Sequence, residues 1–254
     1  VRLAAELGYS DVGLRLLPAA PGGASTPLHA SPALLRETLA ALDDTGIGVF
    51  DLEIIRIGRG FRPADHEAFL ATGQRLGARA VLVAGDDPEA GRLTDGFAAL
   101  CAAAAAHGLT CDLEFMPWTA VKNFSAAKAV VAAAAQPNAR VLVDALHFAR
   151  SASTLPEIAA CPPALFGYAQ ICDAPAEMPA DEAGLIFTAR SERLLPGEGG
   201  IDLAGLFATL PAGLPVSVEV PSDRRIPLLG DREWARQALA ASRAVLEGGA
   251  GQHG

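Results

Sequence analysis

Apolar, β-rich runs alternate with helical stretches along the whole of this chain, and that alternation restricts the fold more than any other feature. The β-rich runs fall at 11–17 (DVGLRLL), 48–57 (GVFDLEIIRI), 79–84 (RAVLVA), 110–115, 140–144, 166–172 and 215–220. Helical periodicity covers 32–46, 64–77, 91–107, 125–136, 154–160, 202–210 and 231–247. Strands that recur in this way between helices pair in parallel and are covered by those helices. The punctuation agrees. Ser31-Pro32 sets a cap before a first-turn proline, and Asp231 opens the last helix. Gly46, Gly77 and Gly108 stop helices just ahead of strands.

A chain of 254 residues has the size of one (β/α)8 TIM barrel. A closed barrel needs eight strands and seven are visible. The chain begins inside a helix (AAELGYS) that feeds the first of them, so the expectation is a barrel whose first strand is missing from this sequence. An open or distorted barrel of seven strands is the alternative. No internal repeat or interdomain linker interrupts the pattern. Residues 1–247 read as a single domain and the Gly-rich 248–254 as a flexible tail. The loop 18–27 (PAAPGGASTP) follows a strand's C-terminal end, the side that carries catalysis in such barrels, and 173–201 reads as a long loop and lid.

Charge and cysteine content narrow the partners. The net charge of −9, from 20 basic and 29 acidic residues, argues against a nucleic-acid partner, which needs a basic face. Cys101, Cys111, Cys161 and Cys172 show no CxxC spacing and read as reduced thiols of a cytoplasmic protein. No run of about 18 uncharged apolar residues occurs, so no membrane span is expected, and residues 1–9 do not resemble a signal peptide. A small molecule is the expected partner, with a homo-oligomer left open.

Four β-rich runs of the second half close on a polar oxygen donor: Glu114 in LEFMPW, Asp144 in VLVDALHFAR, Gln170 in FGYAQICDAP and Glu219 in VSVEVPSD. Consecutive barrel strands present such residues at one mouth. Three carboxylates and one amide oxygen make a hard site suited to Mn²⁺ or Mg²⁺ rather than to zinc held by Cys or His. Other polar residues in apolar runs are Arg15, Glu53 and Arg56, which fit either a pocket wall or a rim ion pair. Asp86 and Asp87 fit a pocket edge or an ordinary turn. Trp118 and Phe148 could wall a sugar-like ring or simply pack, and Arg150 could reach substrate or pair on the surface. His29 and His66 carry no assigned role.

With these motifs the chain resembles the sugar phosphate isomerase/epimerase family of xylose-isomerase-like TIM barrels. The likeness rests on Glu114, on Asp144-Ala-Leu-His147, on Gln170, on Arg193-Leu-Leu-Pro196-Gly197-Glu198-Gly199 and on Glu219. The resemblance implies a divalent ion, Mn²⁺ or Mg²⁺ with Co²⁺ as a further candidate, on Glu114, Asp144, Gln170 and Glu219. It implies substrate contacts from His147 and Arg193, and Trp118 and Glu53 join them as candidate substrate-binding residues. Ketose 3-epimerases of the family place His where this chain has Gln170. Gln there looks more like hydroxypyruvate isomerases, inosose dehydratases and 3-dehydroshikimate dehydratases.

A divalent ion open on one side chelates a hydroxy-ketone and lowers the cost of removing the adjacent proton. Glu114 and Glu219 are the candidate catalytic pair, one taking that proton and the other returning it. The expected function is isomerisation or epimerisation of a keto-sugar or related hydroxy-carbonyl compound through a metal-stabilised enediolate. The alternative is a lyase that dehydrates a cyclic keto-polyol such as inosose or 3-dehydroshikimate. Apurinic endonucleases share the fold but need a histidine-rich, multi-zinc site and a basic groove, which 5 His and the acidic balance do not supply. A non-catalytic accessory barrel would not need the four-donor set.

Overall fold

The computed structural model describes residues 1–250, with side chains to 248. Seven strands form one sheet in chain order, and the strands are the seven read from the sequence. The chain folds as two compact units, Val1–Glu114 with Lys128–Val141, and Phe115–Ala127 with the chain from Leu142 onward.

The first unit holds α1 (Arg2–Leu7), β1 (Asp11–Arg15), α2 (Pro32–Thr45), β2 (Gly48–Ile57), α3 (Glu67–Leu76), β3 (Ala80–Gly85), α4 (Ala90–Ala105) and β4 (Thr110–Glu114). β1 to β4 pair in parallel, with Arg15 opposite Glu53 and Ala84 opposite Glu114. The local causes are legible. Ser31 Oγ accepts the N–H of Leu34 at 3.4 Å and caps α2 behind Pro32. Gly46, Gly77 and Gly108 turn the chain with φ of 70, 67 and 74°, a region glycine enters without a Cβ clash. β3 is buried along its whole length, as a parallel strand covered on both faces must be.

α5 (Phe124–Ala134) and β5 (Ala139–Asp144) each contribute to both units. The second unit continues with α6 (Ala145–Ala149), α7 (Leu155–Ala159), β6 (Phe166–Ile171), α8 (Glu182–Ser191), α9 (Leu203–Thr209), β7 (Val216–Val218), α10 (Arg225–Leu229) and α11 (Asp231–Ala250). β6 and β7 pair in parallel, with Gln170 opposite Ser217. Leu146, Cys172, Ala174, Ala189, Leu195, Val220, Trp234 and Ala238 form its core cluster.

Several boundaries differ from the sequence reading. The loop expected at 173–201 contains α8, which Asp181 starts by accepting the N–H of Gly184 at 2.8 Å. α6 follows β5 with no intervening loop, because the Asp144 carboxylate caps it on the N–H of His147 at 2.9 Å. The strand expected at 215–220 shrinks to Val216–Val218, although the Glu219 N–H still donates to the Ile171 carbonyl at 3.2 Å. Glu219 therefore lies one residue past β7, and Gln170 is the penultimate residue of β6 rather than its end. α11 continues through Ala250, so 248–250 of the expected tail are helical, and 251–254 lie outside the described residues. Among the described residues no helix is long and apolar enough to cross a membrane.

Candidate active site

β5 delivers Asp144 into the interior of the second unit, fully buried at 0% exposure, where an ionised carboxylate survives only if it is paired. Its two oxygens have separate partners. Oδ1 accepts the backbone N–H of His147, and Oδ2 accepts from Arg193 Nη1 at 2.6 Å. Burial pushes the Asp144 carboxyl up, but the Arg193 charge leads the causes that outweigh it and hold the group below its ordinary range.

Arg193 is 3% exposed and makes contacts along its whole guanidinium. Nε donates to the Ala189 carbonyl at 2.8 Å, and Nη1 also reaches Cys172 Sγ and the Glu219 carbonyl, each at 3.3 Å. Nη2 lies 3.1 Å from Glu219 Oε2. Burial works against its charge, but Asp144 and Glu219 more than compensate and raise its pKa well above the usual value. One buried cation thus bridges two of the expected metal carboxylates. Cys172 beside it stays a thiol, pushed up to about 12 chiefly by burial.

His147 rides on α6, one turn after Asp144, and the two offer ligand atoms within 4.8 Å of each other. Burial lowers its pKa to about 4 against the pull of Asp144, so its imidazole is neutral at pH 7. The Trp118 ring meets it edge-on, with centroids 5.0 Å apart and planes at 81°. Gln170, fully buried on β6, has no hydrogen-bond partner for either its amide oxygen or its nitrogen. Leaving such an amide unsatisfied costs roughly 1–3 kcal/mol.

In the first unit, Glu114 closes β4 and is 4% exposed. Glu53, on β2, pairs its carboxylate with Arg15, whose Nε donates to Oε2 at 2.7 Å. Arg56 pairs in the same way with Asp86, and Asp87 takes Arg92 through both oxygens. In the second unit, Arg150 donates to the Pro175 carbonyl.

The second unit thus brings together Asp144, His147, Arg193, Glu219 and Trp118 from segments that run from residue 118 to residue 219. Two features escaped the sequence reading. One is the depth at which Arg193 is buried between carboxylates. The other is Asp173, 1% exposed, whose carboxylate gathers backbone N–H groups of the segment after Arg193. The sequence carries no local signal for Asp173, because the glycine turn that it serves begins at Gly197, 24 residues further along.

The family model described as xylose isomerase-like TIM barrel matches residues 1–245, and the chain belongs to that family. Its fold is accordingly the α/β barrel expected from the alternation of strands and helices. Among solved structures, the IolI protein with a bound zinc atom superposes with a TM-score of 0.80 at 19% identity, over 97% of this chain and 91% of that one. A xylose isomerase-like TIM barrel/4-hydroxyphenylpyruvate dioxygenase fusion protein gives 0.79 at 21%, over 98% of this chain and 40% of that one. A D-psicose 3-epimerase determined in the presence of D-fructose gives 0.69 at 17%, over 96% and 92%. At these identities the likeness is one of fold. Among curated proteins none matches the chain.

Proposed function

We propose that this protein is a divalent-metal-dependent isomerase or epimerase acting next to the carbonyl of a keto-sugar or related hydroxy-carbonyl compound. The observation that carries the proposal is buried Asp144 paired with buried Arg193, which also reaches the partly exposed Glu219, with the unpartnered amide of Gln170 on the same unit. Asp144, Gln170 and Glu219 would hold the ion, and Glu114, the acidic end of β4, is the fourth donor that the family resemblance implies. Oxygen donors of this kind fit Mn²⁺ or Mg²⁺ first and Co²⁺ next. The IolI relative carries zinc, which makes zinc the control ion. When bound, such an ion polarises the substrate carbonyl and makes the neighbouring C–H more acidic.

The chain's own residues would supply the rest. Glu219, 23% exposed, is the carboxylate best placed to meet solvent-borne substrate, and Glu114 is its buried counterpart. One removes the proton and the other returns it. Arg193 would donate hydrogen bonds to the oxygen on which charge develops, a role suited to a cation whose geometry is fixed beforehand. Neutral His147 would donate or accept at a substrate hydroxyl, and Trp118, packed on its edge, would exclude water from that side.

Gln170 favours one second reading, a lyase that expels a β-hydroxyl from a cyclic keto-polyol after the same proton abstraction. The test is incubation of Mn²⁺-loaded protein in heavy water with ketopentoses, ketohexoses and cyclic keto-polyols. Deuterium on the carbon next to the carbonyl, with no new ultraviolet absorbance, supports the isomerase. An enone absorbance supports the lyase. Turnover without deuterium incorporation contradicts acid–base transfer by solvent-exchanging carboxylates, and Glu114→Gln or Glu219→Gln should each lose at least about 10²-fold in rate.

A further inference from the structure

Asp173 lies just past β6, outside every role assigned above, yet it organises the segment behind Arg193. Its Oδ1 accepts the N–H groups of Ala174 at 2.8 Å and Ile201 at 3.1 Å. Its Oδ2 accepts those of Gly197 at 3.0 Å and Gly199 at 2.9 Å. Its main chain forms an antiparallel bridge with Leu194, each residue donating its N–H to the other's carbonyl at 2.9 Å. The neighbouring Arg193 N–H donates to the Pro221 carbonyl at 3.0 Å. The backbone on either side of the Arg193 side chain is therefore tied to two different segments.

The glycines of this turn are shaped around the carboxylate. Gly197 sits at φ 88°, a left-handed conformation. A Cβ on Gly199 would collide with the Ala174 carbonyl and with the Asp173 carboxylate itself, and one on Gly200 would collide with Ala176. A charged acceptor makes each of these N–H bonds stronger than a neutral one would. Glu198 adds a brace from outside, accepting the N–H of Leu195 at 3.2 Å and pairing with Arg225 on α10 at 2.5 and 3.1 Å.

We propose that Asp173 is a positioning residue: by gathering the N–H groups of Gly197, Gly199 and Ile201 it fixes the turn behind Arg193 and so holds the guanidinium against Asp144 and Glu219. This deepens the proposed function, resting on Arg193 being part of the working site, and it makes the order of that arginine depend on a carboxylate that never touches it.

The experiment is nuclear magnetic resonance on the ¹⁵N-labelled full chain, reading solvent exchange of the Arg193 Nε–H and of the Gly197, Gly199, Ala169 and Ile171 amides. Asp173→Asn keeps the size, while its amide nitrogen cannot accept from Gly197 and Gly199. In that variant the Gly197 and Gly199 amides and the Arg193 Nε–H should exchange at least roughly tenfold faster, as expected for loss of bonds to a charged acceptor. The Ala169 and Ile171 amides of β6 should keep their wild-type rates. Asp173→Glu, which retains the charge on a longer arm, should change the same signals in the same direction and stands in if the Asn variant does not fold. A folded variant of either kind with Arg193 Nε–H exchange as slow as in wild type would overturn the proposal and leave Asp173 a stabiliser of the fold alone. Loss of protection in β6 to the same extent would overturn it as well. Neither result depends on turnover, so the proposed activity is judged separately by the heavy-water test.

Discussion

Replacing Arg193 with Met removes a buried charge and little volume. Arg193 is 3% exposed and Asp144 0%, so the substitution strands a carboxylate where solvent cannot reach it. Asp144 keeps only the His147 N–H on Oδ1, and the Ala189 carbonyl loses its donor. Breaking one side of a buried, hydrogen-bonded ion pair costs about 3–5 kcal/mol. For a chain of this size that lowers the melting temperature by roughly 6–20 °C. The assay is urea unfolding of the metal-free protein at pH 7, for wild type, Arg193→Met, Asp144→Asn and the double variant. The double variant has no stranded charge, so its loss should be smaller than the sum of the singles by at least about 2 kcal/mol. The pH dependence has a definite sign. Asp144 titrates below its ordinary range in the folded protein, so the pair's stabilisation is present above the unfolded value of about 3.9 and is lost as pH falls further. In the Met variant the stranded carboxyl takes up a proton readily, so the gap to wild type should narrow below about pH 5. A loss under about 1 kcal/mol, or additive single and double variants, would refute the pairing argument.

Other expectations follow from the same geometry. Asp112, fully buried with Thr110 as its hydroxyl donor, is raised to about 7 chiefly by burial; its stabilising contribution is complete below about pH 4 and fades as pH rises to 7. Asp112→Asn should therefore flatten the pH–stability curve across that window by up to about 4 kcal/mol, and an unchanged curve in urea titrations at several pH values would count against it. Gln170→Leu should stabilise the metal-free protein by up to about 1–3 kcal/mol, because an orphaned buried amide is removed, while weakening Mn²⁺ binding measured by calorimetry. Gln170→His should keep an ion but shift preference from Mn²⁺ toward Zn²⁺, and unchanged selectivity in competition titrations would remove Gln170 from the ligand set. Gly199→Ala should cost about 1–3 kcal/mol in thermal unfolding, since its Cβ meets the Ala174 carbonyl and the Asp173 carboxylate.

The elements that the sequence announced are those specified by their own residues. β3 is apolar from end to end, Ser31-Pro32 opens α2, and glycines close the helices before β2, β3 and β4. The elements that escaped notice are specified by side chains acting on main chain: Asp144 creates α6 and Asp181 starts α8. In the site, the oxygen donors were visible as single residues ending or nearly ending strands. Arg193 was visible as a motif residue, but its burial depends on Asp144, Cys172 and Glu219, which periodicity cannot bring together. Glu53 stood out as a polar residue in an apolar run, and its partner Arg15 lies opposite it in the β1–β2 register, a pairing that only strand alignment reveals. Asp173 was hidden because its partners are backbone N–H groups, which every residue but proline carries.

The proposed function requires Asp144, Gln170, Glu219 and Glu114 to hold one divalent ion. Titration of the metal-free protein with Mn²⁺, followed by electron paramagnetic resonance of the free ion, tests it most directly. One tight site per chain in wild type, weakened at least about tenfold in Gln170→Leu and in Glu114→Gln, is the predicted result. Wild-type protein that leaves the free Mn²⁺ signal unchanged, or a site that both variants retain at full affinity, would contradict it.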